Sequence, residues 1–250
     1  MPRRDPHCLT LLLHTDGAPV TKMGSKSLWP IQCTIAEIPP PIRDRIDATM
    51  VLGVWLGGSH PHRDLFWRDV VDQIRLLYNN GIIVENNEGQ NFKFRVRCQL
   101  ITFDLPALAH SCNIIQFNGY YGCPFCDLRG IAIQRQVFYP FSPTSSKLKT
   151  DKEYSRYSTN DRSILNNIGI KGPTPLTDIL ILPDQVALDY MHLVCSGHVK
   201  TLIGYWERIL LPNVFAEASQ YLTTVIIPHM FGYQFLPLAH YSQWKTKMFR

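Results

Sequence analysis

Cys8 to Leu13 form a dense apolar run that breaks at Asp16-Gly17, and Ser27 to Ile38 form a second, β-rich run. Two such runs joined by a polar stretch predict a hairpin with a longish loop. Pro39-Pro40-Pro41 punctuates the chain, and Ala48 to Leu56 then reads as a third strand, apolar, partly β-branched and closed by Gly57-Gly58. Beyond His60-Pro61-His62 the period changes. Leu65, Phe66, Val70, Ile74 and Leu77 recur at spacings of three and four, which predicts a helix from Leu65 to Tyr78 with those residues on its inner face. Asn79-Asn80-Gly81 stops it. Ile82-Ile83-Val84 and the alternating stretch from Phe92 to Phe103 predict two more strands, the last delivering Asp104 at its C-terminal end. Pro106 suits the first turn of a following helix over Ala107 to Asn113.

Three strands, a helix, further strands and another helix predict an α/β fold with a mixed sheet. From Phe138 to Thr174 the chain turns to Ser, Thr, Lys, Tyr, Asn and Pro with little periodicity, which predicts a poorly ordered insertion. From Leu182 onward Val186, Leu193, Val194, Leu202 and Trp206 restore a helical spacing. The expected organisation is an α/β unit over residues 1–137, an irregular linker over 138–180 and a helical segment over 181–250.

Composition narrows this only modestly. A chain of 250 residues, 45% hydrophobic and 18% charged, can bury a substantial core. A formal charge of +5 is compatible with a polyanionic partner and too mild to demand one. The N-terminal apolar run ends at His14-Thr15-Asp16 rather than at a small-residue cleavage site, so no secretory leader is expected. No apolar stretch approaches the roughly 18 residues of a membrane span. Seven cysteines at irregular spacing are therefore expected to be thiols or metal ligands, not a disulfide framework.

Asp16 and Asp104 each follow an apolar strand, and adjacent strand ends are where two carboxylates far apart in sequence can converge on Mg²⁺ or Mn²⁺. Equally, Asp16 can open an Asp-Gly turn, and Asp104 can cap the helix ahead of Pro106. Cys123-Pro124-Phe125-Cys126 offers half of a tetrahedral zinc site, a redox dithiol or two packed thiols. His192 and His198 stand six apart, a spacing that sends them to different sides of a continuous helix. Asp189 and His192 share a helix face. Trp29, Trp55, Trp67, Trp206 and Trp244 read as packing residues, and Lys22, Lys26, Arg95 and Arg97 as solvent-facing cations near the two aspartates. The chain holds no Gly-rich phosphate loop, Gly-x-Ser-x-Gly elbow or His-Glu-x-x-His helix, which removes several common enzyme classes.

Five ordered blocks, "HTDGAPVTKMGSKSLWPI", "GVWLGGSHPHRDLFW", "FDLPALAHSCNIIQFNGYYGCPFC", "LDYMHLVCSGHVKTLIGYW" and "LAHYSQWKTKMFR", resemble CACTA (En/Spm-type) DDE transposases, including transposase-domain proteins of animals. The resemblance implies an RNase H-like core that cuts and rejoins DNA with two divalent ions, Mg²⁺ or Mn²⁺, held by three acidic residues. Asp16 matches the first of these and Asp104 the second. Cys123 and Cys126 match a Cys-x-x-Cys that the wider group uses with two downstream histidines to bind Zn²⁺. The third acid and those histidines are expected beyond the Trp-Lys-x-x-x-Phe-Arg block in which the sequence ends, Asp189 and Glu207 being poor stand-ins, so an incomplete catalytic set is expected. A non-catalytic, domesticated or degenerate fragment acting as a zinc-containing interaction or nucleic-acid-binding module is the alternative. The resemblance also implies a DNA partner, no membrane association and a nuclear location, and it is compatible with a homodimer.

Overall fold

The computed structural model describes residues 7–21, 26–155, 168–226 and 236–244. The chain divides into two compact units, Met1–Ala187 and Leu188–Arg250.

The first unit is a mixed sheet with helices. Its strands are β1 (Cys8–Thr15), β2 (Ala18–Pro19), β3 (Ser27–Ile35), β4 (Met50–Gly57), β5 (Ile82–Glu85), β6 (Asn91–Phe103) and β9 (Val186–Leu188), and a separate hairpin joins β7 (Ile131–Ile133) to β8 (Gln136–Phe138). Across the sheet β4 pairs with β3, β3 with β1, β1 with β6, and β6 with β5, while β9 adds to β6. The β4–β3, β3–β1 and β6–β5 pairs are antiparallel, and β1–β6 is parallel. A parallel neighbour needs a crossover, and α1 (Arg63–Asn80) lies on the connection between β4 and β6.

The predicted hairpin forms with one refinement. Leu11 faces Ile35 and Thr15 faces Ile31, and Ala18 then faces Leu28 in the same antiparallel register. β1 and β2 are thus one ladder interrupted at Asp16-Gly17, which is a break in a strand and not a turn. The turn comes after β2, where the Val20 amide donates to the Lys26 carbonyl; Lys22 lies outside the described residues.

Helix α1 buries Phe66, Trp67, Val70, Val71 and Ile74, whereas Leu65 is 71% exposed. The buried face is therefore rotated from the one predicted: the neighbouring pairs Phe66-Trp67 and Val70-Val71 make a broad contact with the sheet. Trp67 meets Phe103 of β6 edge to face at 6.3 Å. The helix ends as its sequence requires, with Gly81 at φ 73° and its amide donating to the Leu77 carbonyl. Strand alternation along β6 puts Val96, Cys98, Ile101 and Phe103 on the buried side, a register shift near Gln99 keeping the two halves in phase.

Described parts of residues 138–174, predicted to be a poorly ordered insertion, pack into this unit. Helix α3 (Asp151–Ser155) buries Tyr154, whose hydroxyl donates to the Pro124 carbonyl, and Ile170 is fully buried in a bridge with Ile114. The order arises from partners distant in sequence, which periodicity does not register.

The second unit contains a wide π-helical stretch over Met191–Val199, α4 (Lys200–Ile209), α5 (Pro212–Thr224) and a 3₁₀ segment over Leu238–Gln243. Ile203, Phe215 and Trp244 form its core, with Val199, Leu222, Leu238 and Tyr241 against it. Two expectations for the chain beyond Leu182 fail. Val186 lies on β9 instead of a helix, and Trp206 is 40% exposed rather than packed.

Candidate functional site

The tips of β1 and β6 form the candidate site. These strands are adjacent and parallel, their register running to His14 opposite Thr102, and Asp16 and Asp104 each follow two residues later. Neighbouring strands lie about 4.8 Å apart, and the two aspartates stand at the C-terminal ends of this adjacent pair. Alternation adds a second match. Leu11, Leu13 and Thr15 are buried on the side of the sheet that α1 covers, as are Ile101 and Phe103, which leaves Asp16 and Asp104 together on the opposite side. His14, also on that side, ties the strands together through Nδ1 and the Thr102 carbonyl at 3.2 Å.

Each aspartate has a local anchor. The Asp104 carboxylate accepts the Ala107 amide at 2.7 Å and so caps α2 (Leu105–Ser111), with Pro106 in the first turn. The capping reading is therefore correct. At Asp16 the anchor is its neighbour. A methyl group on Gly17 would stand 2.3 Å from Cε2 and 2.4 Å from Cζ2 of Trp29. Only glycine lets the backbone lie against that indole, and Trp29, 5% exposed, is the floor under the β1 tip.

Trp29 opens a small aromatic stack that the sequence did not single out. Its ring meets His60 edge-on at 5.1 Å and His110 of α2 at 6.2 Å, and the two imidazoles stack at 5.5 Å. Arg63 at the start of α1 donates from Nε to the His110 carbonyl at 2.7 Å. Burial holds the His110 imidazole below its ordinary pKa, a bond to the Pro61 backbone pushes the other way, and the charges of Arg63, His60 and Lys171 lower it further. The only sequence signal for this cluster was the His60-Pro61-His62 run, which carried no spacing rule.

The Cys-x-x-Cys turn lies elsewhere in the first unit. Cys126 Sγ stands 3.3 Å from Cys123 Sγ, whereas a tetrahedral zinc with bonds of about 2.3 Å sets its sulfurs about 3.8 Å apart, so a small opening of the turn would fit that ion. The segment carrying Lys147 to Tyr154 clamps the turn: the Lys149 amide donates to the Phe125 carbonyl, the Asp127 amide to the Lys147 carbonyl, and Lys149 Nζ to the Cys123 carbonyl at 2.5 Å. Lys149 is only 4% exposed. Burial lowers its pKa, while Cys123, Cys126, Asp127 and Glu153 favour the charged form. Burial raises the Cys126 thiol, which the Leu128 amide partly offsets. By contrast, burial lifts Cys33 to about 11 and Cys98 and Cys112 to about 12, so these are packing thiols.

His192 of the second unit pairs through Nδ1 with Asp189 Oδ2 at 2.8 Å. Among the described residues no group of three or more His, Cys, Asp or Glu side chains is arranged to hold a metal ion. No helix among them is long and apolar enough to cross a membrane.

No curated protein matches the chain. The family model for "Transposase family tnp2" matches residues 2–160, a stretch that includes both aspartates, the Trp29 floor and the Cys-x-x-Cys turn. That match covers more than half of the sequence, and the chain belongs to the tnp2 transposase family.

Proposed function

We propose that the chain carries the first two acidic residues of an RNase H-like, DDE-type DNA-cleaving and strand-transfer core, Asp16 and Asp104. The observation that supports this reading is the parallel β1–β6 register, which pairs His14 with Thr102, two residues before each aspartate. The β4–β3–β1–β6 order, with α1 on the crossover, supports the fold assignment. Paired carboxylates suit hard divalent cations such as Mg²⁺ or Mn²⁺. When bound, such ions polarise the scissile phosphate and supply a nucleophile at neutral pH.

The chain's own contribution is positional. Asp104 is oriented by its bond to Ala107, Asp16 by the closed approach of Gly17 to Trp29, and His14 cross-links the strands beneath them. A third acidic ligand would complete the set, and none converges with these two among the described residues. With the set incomplete, the chain on its own is read as weakly active, its complete function depending on one further carboxylate. Cys123 and Cys126, fixed by the Lys149 clamp, are read as half of a zinc site.

The test is Mn²⁺-dependent nicking of supercoiled DNA by this chain, by Asp16→Asn and by Asp104→Asn. Nicking that each substitution abolishes supports the reading. Nicking that persists in both variants refutes it. Absence of nicking in all three, together with DNA binding, favours a non-catalytic module; the cap formed by Asp104 is the observation on that side.

A further inference from the structure

Strand β4 is an open edge of the sheet. Among the described residues it pairs with β3 alone, and no residue from 50 to 57 has another backbone partner. An antiparallel strand turns the N–H and C=O groups of alternate residues away from its neighbour, so β4 presents a row of them outward. Natural edges are commonly blunted by charge, proline or short length. β5, at the other end of the sheet, has four residues and ends in Glu85. β4 runs for eight residues, MVLGVWLG, without a charge or a proline. Its one irregularity, a register shift at Leu52, leaves residues 53–57 as a regular run. Val51, Val54 and Leu56, opposite Gln32, Pro30 and Leu28 of β3, are each more than half exposed. The residues of β3 that alternate with these partners, Trp29 and Ile31, are buried, so the three share the sheet face turned away from α1. On the α1 side Met50 and Leu52 line a groove of about 340 Å³ whose far wall includes Val70 and Ile74.

We infer that β4 is a self-association edge, pairing antiparallel with β4 of a second copy about a two-fold axis beside Val54 and joining two sheets into one. Charge selects a second copy as the occupant. The chain is +5 overall, so two copies repel across most of their surfaces. β4 is neutral, and the cations just before it are already paired, Arg45 with Asp47 at 2.7 Å and Arg43 with Asp44 at 3.9 Å. Side chains select it too. The axis sets Val54 against Val54 and brings Val51 and Leu56 of each copy into one apolar strip. On the other face it sets Trp55 of the second copy across from Gly53, which has no side chain, beside the groove that Met50 and Leu52 line. Area fixes the strength. Eight extended residues span about 26 Å and a sheet with its side chains is about 10 Å thick, so the contact falls in the class below about 1,200 Å² that associates weakly and reversibly. Neither strand nor groove involves Asp16 or Asp104, and self-association is independent of the catalytic reading.

Sedimentation velocity of the whole chain between about 2 and about 300 μM is the test. The weight-average mass should rise with concentration from one chain toward two and stop there. Raising salt from about 50 to about 500 mM should leave the dimer as strong or stronger, because it screens only the overall repulsion. Val54→Lys and Val54→Glu each place like charges across the axis and should weaken association about tenfold. An equimolar mixture of the two variants should restore it, since opposite charges then face each other. Circular dichroism of both variants checks that a substitution at this exposed position leaves the fold intact. A chain that stays monomeric throughout the range overturns the inference, as does association that neither substitution changes. Growth beyond the dimer would mean a head-to-tail contact in place of a two-fold one, and a dimer lost at high salt would place the contact on a charged surface; either result also overturns it.

Discussion

Replacing Gly17 by alanine tests whether the aspartate-bearing tip of β1 is held by the core beneath it. The added methyl would lie 2.3 Å from Trp29 Cε2, 2.4 Å from Cζ2 and 2.9 Å from Nε1. Ordinary carbon contacts begin near 3.5 Å, so indole and backbone must separate by about 1.2 Å. The indole has little room to give. It is 5% exposed and flanked by His60 and His110, and its strand is hydrogen-bonded on both sides, to β1 and to β4. Overpacking of this kind costs about 1–3 kcal/mol, and the absence of a flexible side-chain end to absorb it argues for the upper half, about 2–3 kcal/mol. For a domain of this size that lowers Tm by about 4–12 °C. Thermal unfolding followed by circular dichroism reads the effect. In a double-mutant cycle with Trp29→Leu, the added cost of Gly17→Ala should largely vanish, since the clashing ring is gone. A Gly17→Ala protein melting within about 1 °C of the unaltered chain would refute the claim that Trp29 fixes the β1 tip.

Three further predictions probe the same region and the thiol turn. Asp104→Asn keeps a good helix cap whereas Asp104→Ala removes it, so urea unfolding should show about 1 kcal/mol lost in the alanine variant and little in the asparagine one; equal losses would mean that the carboxylate's charge, not the cap, stabilises α2. His110 is half-buried with a pKa lowered by desolvation, so its contribution to stability is fully present above pH 6.5 and declines as pH falls toward the lower folded-state value. His110→Phe should accordingly show a smaller drop in Tm between pH 7.5 and pH 5.5 than the unaltered protein, and parallel profiles would contradict this. Equilibrium dialysis against Zn²⁺ should show thiol-dependent uptake that Cys123→Ser abolishes; the same uptake in both proteins would place the zinc elsewhere.

The strands that alternate cleanly, β1, β3, β4 and β6, were legible in the sequence, as were the Gly81 stop of α1 and the Asp104-Pro106 helix start, because each rests on chemistry within a few residues. Legibility failed where a distant partner decides. Val186 belongs to a three-residue strand only because β6 is there to receive it, the Ile101 amide donating to the Gln185 carbonyl, and its apolar run fits a helix equally well. Trp67 and Val71 replace Leu65 on the buried face of α1 because the sheet beneath is broad. Of the candidate site, the two aspartates and the cysteine pair could be named from sequence. Trp29 could be read as a packing residue, which its burial bears out, but its contact with Gly17 and the roles of His60, His110 and the Lys149 clamp could not, since they depend on strand register and on contacts from residue 149 back to residue 123.

The unbroken register of β1 and β2 against β3 limits how this sequence can change in length. Inserting or deleting one residue between Cys8 and Asp16 would exchange the two sides of the strand and swing the carboxylate toward α1, away from Asp104. The connection after β2 is under no such restriction, since additions there lengthen a loop without moving either tip. Among functional relatives, insertions and deletions should therefore gather between Val20 and Lys26 and be absent from the strand that precedes the first aspartate.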